Sequence, residues 1–205
     1  MTYRTEQEAF WAGEFGDQYI ERNAGAQIVA SNTALFSRIL RQCGPIGSVI
    51  EFGANIGLNL MALHNLLPEA TFSAIEINAK AAAALRRLGY VTVDERSILQ
   101  PAATERHDLV FIKTVLIHID PSQLPAVYDA LHSSARRYVV VAEYYNPTPV
   151  EVTYRGHQKR LFKRDFAGEM MQRFSDLKLI DYGFAYHGGR FPQDDITWFL
   201  MEKAY

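Results

Sequence analysis

The chain has 205 residues, of which 48% are hydrophobic and 21% charged, the composition of a folded globular protein rather than a disordered one. Its 21 Lys and Arg against 23 Asp and Glu leave a formal charge of −2, so no basic surplus points to nucleic acid and no basic run points to an anionic membrane. A single cysteine, Cys43, excludes an intramolecular disulfide framework and a Cys-cluster metal site. Met1-Thr2-Tyr3-Arg4-Thr5-Glu6 holds no apolar signal core, and no apolar run is long enough to span a bilayer. A soluble, cytoplasmic protein with one main domain is expected.

In chain order, residues 6–22 read as a helix carrying Phe10, Trp11, Phe15 and Tyr19, more aromatic than a surface helix requires. Residues 26–43 read as a second helix with Ile28, Leu35, Phe36, Ile39 and Leu40 on one face, stopped by Gly44-Pro45. From there short β-branched runs at 48–52, 71–77, 90–93, 109–113, 138–143, 177–184 and 196–202 alternate with helical patterns at 56–66, 79–88, 121–135 and 164–174. That alternation is the signature of an α/β sheet with helices on both faces. In the third of these helices Asp120 can cap, Pro121 suits the first turn, and Leu124, Val127, Tyr128 and Leu131 form the buried stripe. Residues 144–163, rich in Tyr, Pro and Arg, interrupt the rhythm as a long loop after the fifth strand, and such loops are usually functional. No heptad or long exposed apolar edge is evident, so the oligomeric state is left open.

The chemistry begins at Ser48-Val49-Ile50-Glu51-Phe52-Gly53-Ala54-Asn55-Ile56-Gly57: a buried strand, an acid near its end, then a glycine turn opening a helix. Gly53 permits a sharp turn, Gly57 permits close approach of a ligand or strand, and the helix N-terminus offers free N–H groups. Glu76 ends the second strand about 20 residues on, where a doubly wound fold places its ribose-hydroxyl acceptor. A dinucleotide site and an S-adenosylmethionine site share this pattern. Three features favour the second: Asn55 stands where a dinucleotide turn wants Gly, with Glu51 just before it; no Tyr-x-x-x-Lys pair occurs; and the chain ends in two strands, as a final hairpin inserted antiparallel requires.

Over residues 45–203 the sequence resembles class I S-adenosylmethionine-dependent methyltransferases. More narrowly, Glu51-Phe52-Gly53-Ala54-Asn55-Ile56-Gly57, Lys113-Thr114-Val115-Leu116-Ile117-His118-Ile119, Glu143-Tyr144-Tyr145-Asn146-Pro147 and Phe191-Pro192-Gln193-Asp194-Asp195-Ile196-Thr197-Trp198, with residues 5–23, resemble the pseudaminic acid biosynthesis-associated methylases. The resemblance implies a Rossmann-like fold with a seven-stranded, mostly parallel sheet whose last strand is antiparallel, and S-adenosyl-L-methionine as cofactor. It implies that Glu51, Gly53 and Gly57 surround the methionine end, with Asn55 as a cofactor contact in place of the commoner second Gly, that Glu76 holds the ribose, and that Ile77, Ser97 and Ile98 meet the adenine. Lys113 and Thr114 would line the methyl-transfer site. Residues 1–44 would form a helical lid on the domain at 45–205, with Trp11, Tyr19 and Arg22 as its cofactor contacts.

Methyl transfer from a sulfonium is an in-line displacement, in which an enzyme positions the nucleophile and manages its proton. His118, just past the fourth strand, is the best placed of the six histidines to act as base, with Tyr144 and Tyr145 as further candidate catalytic side chains. Tyr154, Arg155 and His157 in the long loop are candidate acceptor contacts. The expected reaction is methyl transfer to a small polar acceptor, a hydroxyl or amine of a sugar, sugar acid or nucleotide sugar. The alternatives are a carboxylate or amine metabolite as acceptor, and a binding subunit that keeps the cofactor fold without catalysis. Asp194-Asp195 and Glu143 do not make a convincing metal set, and no metal is expected.

Overall fold

A computed structural model describes residues 3–100 and 105–204. It opens with α1 (Glu6–Ala12), α2 (Glu14–Arg22) and α3 (Ala26–Leu40). The single helix expected at 6–22 is two, because Gly13 adopts an extended backbone (φ −98°, ψ −155°) that ends α1 and begins α2. The aromatics still meet across the break, with the Trp11 ring centroid 5.3 Å from both Phe15 and Tyr19. Thr5 and Glu8 cap α1 reciprocally, satisfying its free N–H groups.

The α/β body then runs β1 (Ser48–Phe52), α4 (Leu58–Leu66), β2 (Thr71–Glu76), α5 (Ala79–Arg86), β3 (Val91–Glu95), β4 (His107–Lys113), α6 (Leu124–Ser134) and β5 (Ala135–Glu143). Between β4 and α6 lie two 3-10 turns, Leu116–His118 and Pro121–Gln123, the second capped by Asp120 as its sequence suggests. The loop expected at 144–163 contains a minimal hairpin, β6 (Val150–Glu151) with β7 (Phe162–Lys163). The chain ends with α7 (Phe166–Arg173), β8 (Leu177–Ala185) and β9 (Ile196–Lys203).

Seven strands form one sheet in the order β3-β2-β1-β4-β5-β9-β8. The five strands from β3 to β5 are parallel, and β9 inserts antiparallel between β5 and β8, pairing Val139 with Met201 and Leu179 with Met201 from its two sides. Helices cover both faces. Leu35, Phe36 and Ile39 of α3, Leu60 and Leu63 of α4 and Leu85 of α5 pack with Val49, Leu109 and Phe111 on one side. Leu124, Val127 and Leu131 of α6 and Phe166 and Met170 of α7 pack with Ile50, Val110 and Ile112 on the other. Central strands buried on both faces read as continuous apolar runs, which is why β1, β4 and β5 were legible without alternation. At the sheet edge β8 presents Leu179, Ile180, Tyr182 and Phe184 to solvent, an apolar edge that the sequence pattern did not reveal.

Strand order reverses between β1 and β4: the chain builds outward through β2 and β3, then returns to lay β4 and β5 on the opposite side. The connections leaving the carboxyl ends of β1 and β4 therefore run to opposite faces of the sheet, α4 on one and α6 on the other, and this is the topological switch point where doubly wound sheets form their crevice.

Candidate functional site

At that crevice lies a cavity of about 450 Å³, within the usual range for small-molecule sites. Its floor is the turn after β1. Gly53 (φ 76°) leaves the strand in the left-handed region, and a Cβ there would meet Val115 Cγ2 at 2.7 Å. Asn55 is also left-handed (φ 48°), a conformation Asn tolerates better than most residues. Glu76, at the end of β2, spans this turn and the next. Its Oε2 accepts the Asn55 N–H at 2.7 Å and its Oε1 the Asn78 N–H at 2.8 Å. Burial nevertheless pushes its pKa above the ordinary carboxylate value. Ile77, Ser97 and Ile98 continue the wall, Ser97 Oγ accepting the Leu99 N–H at 3.0 Å.

Lys113 and Thr114 close the opposite wall at the end of β4. Thr114 is left-handed (φ 54°), an outlier for a β-branched residue, and its N–H donates to the Ala142 carbonyl at 3.0 Å. Beneath them two acids are fully buried. Glu51 accepts from Asn59 Nδ2 at 2.6 Å, and burial raises its pKa to about 8. Glu143 accepts the Val115 and Leu116 N–H groups, each at 2.9 Å, and burial raises its pKa to about 7.

His118 lines the cavity from the first 3-10 turn. Its Nδ1 donates to the Arg160 carbonyl at 2.6 Å, since a carbonyl oxygen can only accept. Nε2 therefore carries the lone pair, and burial holds the pKa down at about 4. Its ring packs 4.7 Å from Trp11 and 4.8 Å from Tyr154.

Of the residues singled out by sequence, Trp11, Tyr19, Gly53, Asn55, Glu76, Ile77, Ser97, Ile98, Lys113, Thr114 and His118 share this cavity wall. The others lie off it. Glu51 sits behind Asn59. Gly57 (φ 85°) starts α4, and the close approach it permits is by protein: a Cβ would meet Leu85 Cδ2 at 2.7 Å and Leu88 Cδ1 at 2.9 Å. Arg22 is exposed over the Phe15 ring. Tyr144 packs into the core with Lys163 over its ring, and Tyr145 is exposed beside Phe199. Tyr154, Arg155 and His157 belong to a tight turn closed by reciprocal Tyr154–His157 backbone hydrogen bonds of 2.9 and 2.8 Å, with the His157 ring against Phe10.

Sequence reading missed Asn59, Asn78, Asn32 and Gln193 as wall residues. Asn78 had a legible signal, an N-cap residue two positions after a strand-end acid; its Oδ1 accepts the Ala81 N–H at 3.0 Å while its Nδ2 donates to Asp17 at 2.9 Å. Asn32 and Gln193 had none: they are 161 positions apart, and only the fold joins Gln193 Nε2 to Asn32 Oδ1, at 3.0 Å with both side chains buried.

No protein-family model matches the chain, and no curated protein matches it. Solved structures do. Magnesium protoporphyrin IX methyltransferase (ChlM) from Synechocystis PCC 6803 with bound SAH has a TM-score of 0.70 at 14% identity, over 97% of this chain and 100% of that one. The glycopeptide N-methyltransferase MtfA complexed with (S)-adenosyl-L-methionine has a TM-score of 0.65 at 16% identity, over 86% of this chain and 94% of that one. N-methyltransferase NodS from Bradyrhizobium japonicum WM9 has a TM-score of 0.65 at 13% identity, over 87% and 97%. The chain has the class I methyltransferase fold. In this fold the antiparallel β9, inserted beside β5, is the element that sets the sheet apart from a dinucleotide-binding one.

Proposed function

We propose that the protein is an S-adenosylmethionine-dependent methyltransferase acting on a small polar acceptor through a hydroxyl or amine. The observation that carries this reading is Glu76: a buried carboxylate at the end of β2, facing a 450 Å³ cavity together with the glycine turn of β1. The donor set fits the cofactor. Glu76 keeps lone pairs free for ribose hydroxyls, since each oxygen accepts one backbone N–H and can take a second. Ile77 and Ile98 offer apolar surface for a purine, with Ser97 at its edge. Trp11 Nε1 and Asn59 Oδ1, both on wall residues, are buried without a hydrogen-bond partner, and a ligand bearing hydroxyl, amino and carboxylate groups would satisfy them.

When bound, S-adenosylmethionine supplies an electrophilic methyl group on a sulfonium sulfur. The chain's own contribution is positioning and control of water and protons. The segment α1–α2 covers the cavity with Trp11 and Tyr19, and is fastened to the α5 region by Asn78 Nδ2 on the Trp11 carbonyl and by the Lys80–Asp17 pair. His118 holds a neutral imidazole with Nε2 free to accept a proton, weakly, at neutral pH. A sugar-type acceptor rests on the sequence resemblance alone, because Tyr154, Arg155 and His157 lie off the cavity wall.

Calorimetric titration with S-adenosylmethionine and its demethylated product tests the reading. Saturable binding with a Kd in the micromolar range or below is expected; neither heat nor thermal stabilisation with either compound would overturn it.

A further inference from the structure

The acidic and basic side chains on the cavity wall divide into two groups. Most are consumed by the protein. Glu76 accepts two backbone N–H groups, Glu8 is part of the α1 cap, and Asp120 accepts the Ser122 N–H and hydroxyl at 2.9 and 2.7 Å. Two are not. Among the described residues, the Lys113 ammonium and the Asp194 carboxylate make no hydrogen bond or ion pair with the protein, and they do not close on each other. Yet Asp194 lies within electrostatic reach of Lys113, whose pKa burial lowers and the Asp194 charge partly restores.

Both are held in place. Lys113 is the last residue of β4, in register with Ala142, and the left-handed Thr114 fixes the chain after it. Glu51 and Glu143 lie within electrostatic reach of Lys113; one oxygen of each is committed, to Asn59 and to the Val115 and Leu116 N–H groups, and the other oxygen of each is buried without a partner, but neither acid makes an ion pair with the lysine. Asp194 sits between two anchored neighbours. Gln193 is tied to Asn32, and Asp195 accepts the His187 N–H at 2.9 Å from a left-handed backbone (φ 53°). Asp194 is exposed where it borders the cavity, and the half-buried Lys113 borders the same cavity within its electrostatic reach.

Opposite charges that share a small space and remain unpaired suit a ligand carrying both signs, its carboxylate on the ammonium and its ammonium on the carboxylate. We propose that Lys113 and Asp194 form a two-point clamp for an α-amino-acid head group. This rests on the cavity being an S-adenosylmethionine site, and the head group has two possible sources, the methionyl end of the cofactor or an amino-acid acceptor beside it.

The test compares wild type, Lys113→Met, Lys113→Arg and Asp194→Asn by calorimetry. The probes are S-adenosylhomocysteine, 5′-methylthioadenosine (the same nucleoside without the amino-acid end), and a panel of free amino acids added to protein saturated with S-adenosylhomocysteine. If the clamp takes the cofactor, Lys113→Met and Asp194→Asn each weaken S-adenosylhomocysteine by about tenfold or more. Methylthioadenosine binding stays unchanged, which also shows that the variants fold, and Lys113→Arg retains most of the affinity. If the clamp takes the acceptor, S-adenosylhomocysteine binding is untouched, while a free amino acid binds saturated wild type and its amide or the two charge-removing variants abolish that binding. Unchanged S-adenosylhomocysteine affinity in the variants, with no amino acid bound by saturated wild type, overturns the clamp and leaves the methyltransferase reading standing. A wild type that binds neither nucleoside overturns both.

Discussion

The Glu76 carboxylate accepts the Asn55 N–H at 2.7 Å, so the acid that ends β2 holds the shape of the turn that ends β1. If Glu76 also holds the ribose, as proposed, ligand recognition and local folding share one side chain. Glu76→Gln keeps the size but places an NH₂ group against one of two backbone donors, Asn55 or Asn78. It is expected to lose about 1–3 kcal/mol of stability, the cost of a buried group left unsatisfied, and at least tenfold in cofactor affinity. Urea unfolding and calorimetry measure the two losses separately. Full affinity in a destabilised Glu76→Gln protein would falsify the ribose role and leave only the structural one.

His118 offers a second separation. Its Nδ1 proton is committed to the Arg160 carbonyl, and burial among Trp11 and Tyr154 keeps the imidazole neutral down to about pH 4. A proton accepted at Nε2 is therefore held weakly, and the rate should not track a histidine of ordinary pKa. The expected pH profile of kcat/KM has no inflection near 6.5 that belongs to this residue. His118→Asn, which can still donate to the carbonyl, should fold and lose activity at all pH values by a similar factor. An inflection near 6.5 in wild type that vanishes in His118→Asn contradicts this assignment.

The fold was legible because its signals are local and repeated: β-branched runs of five to nine residues, each followed by a stop, need no knowledge of distant partners. Glu76, Ser97 and Lys113 were legible for a related reason, since strand carboxyl ends in a doubly wound sheet converge on one crevice. Loop side chains escaped the reading. Tyr154 and His157 had the right chemistry, but a tight turn fastens them against Phe15 and Phe10, outside the cavity wall. Asp194 carries no signal of its own in the sequence; the distant Asn32–Gln193 hydrogen bond beside it is what places it at the cavity.

Buried acids make the stability depend on pH in a direction opposite to ordinary acid denaturation. Glu51 is raised from 4.5 to about 8 and Glu143 from 4.5 to about 7, burial outweighing the attraction of nearby Lys113 in each case. Between those limits the folded state binds more protons than the unfolded one, so stability falls as pH rises from 4.5. His118, lowered from 6.5 to about 4, acts the other way, its share of stability being lost as pH falls below 6.5. Above 6.5 the two acids act without that opposition, each contributing a slope of up to about 1.4 kcal/mol per pH unit. Between pH 6.5 and 8 these two acids together cost the wild type about 2 kcal/mol, which urea unfolding measures. Glu51→Gln, permanently neutral and able to keep the Asn59 contact, should lose less than half of that. Equal slopes in the two proteins would mean that Glu51 is ionised in the folded state throughout.

Thr114 tests whether the cavity stores backbone strain. It stands at φ 54° between Lys113 and the 3-10 turn that carries His118, and its N–H is tied to the Ala142 carbonyl. A β-branched residue in the left-handed region costs about 1–3 kcal/mol, a strain that persists where the surroundings over-determine the backbone. Comparing Thr114→Gly with Thr114→Ala isolates this term, because both delete the hydroxyl and both keep the N–H bond. Alanine retains the left-handed penalty and glycine does not, so the glycine variant should be the more stable by about 1 kcal/mol despite the greater flexibility of its unfolded chain. Thermal melting decides the order. An alanine variant at least as stable as the glycine one would show that Thr114 holds no strain for the site to use. The expected order instead leaves a strained residue beside Lys113.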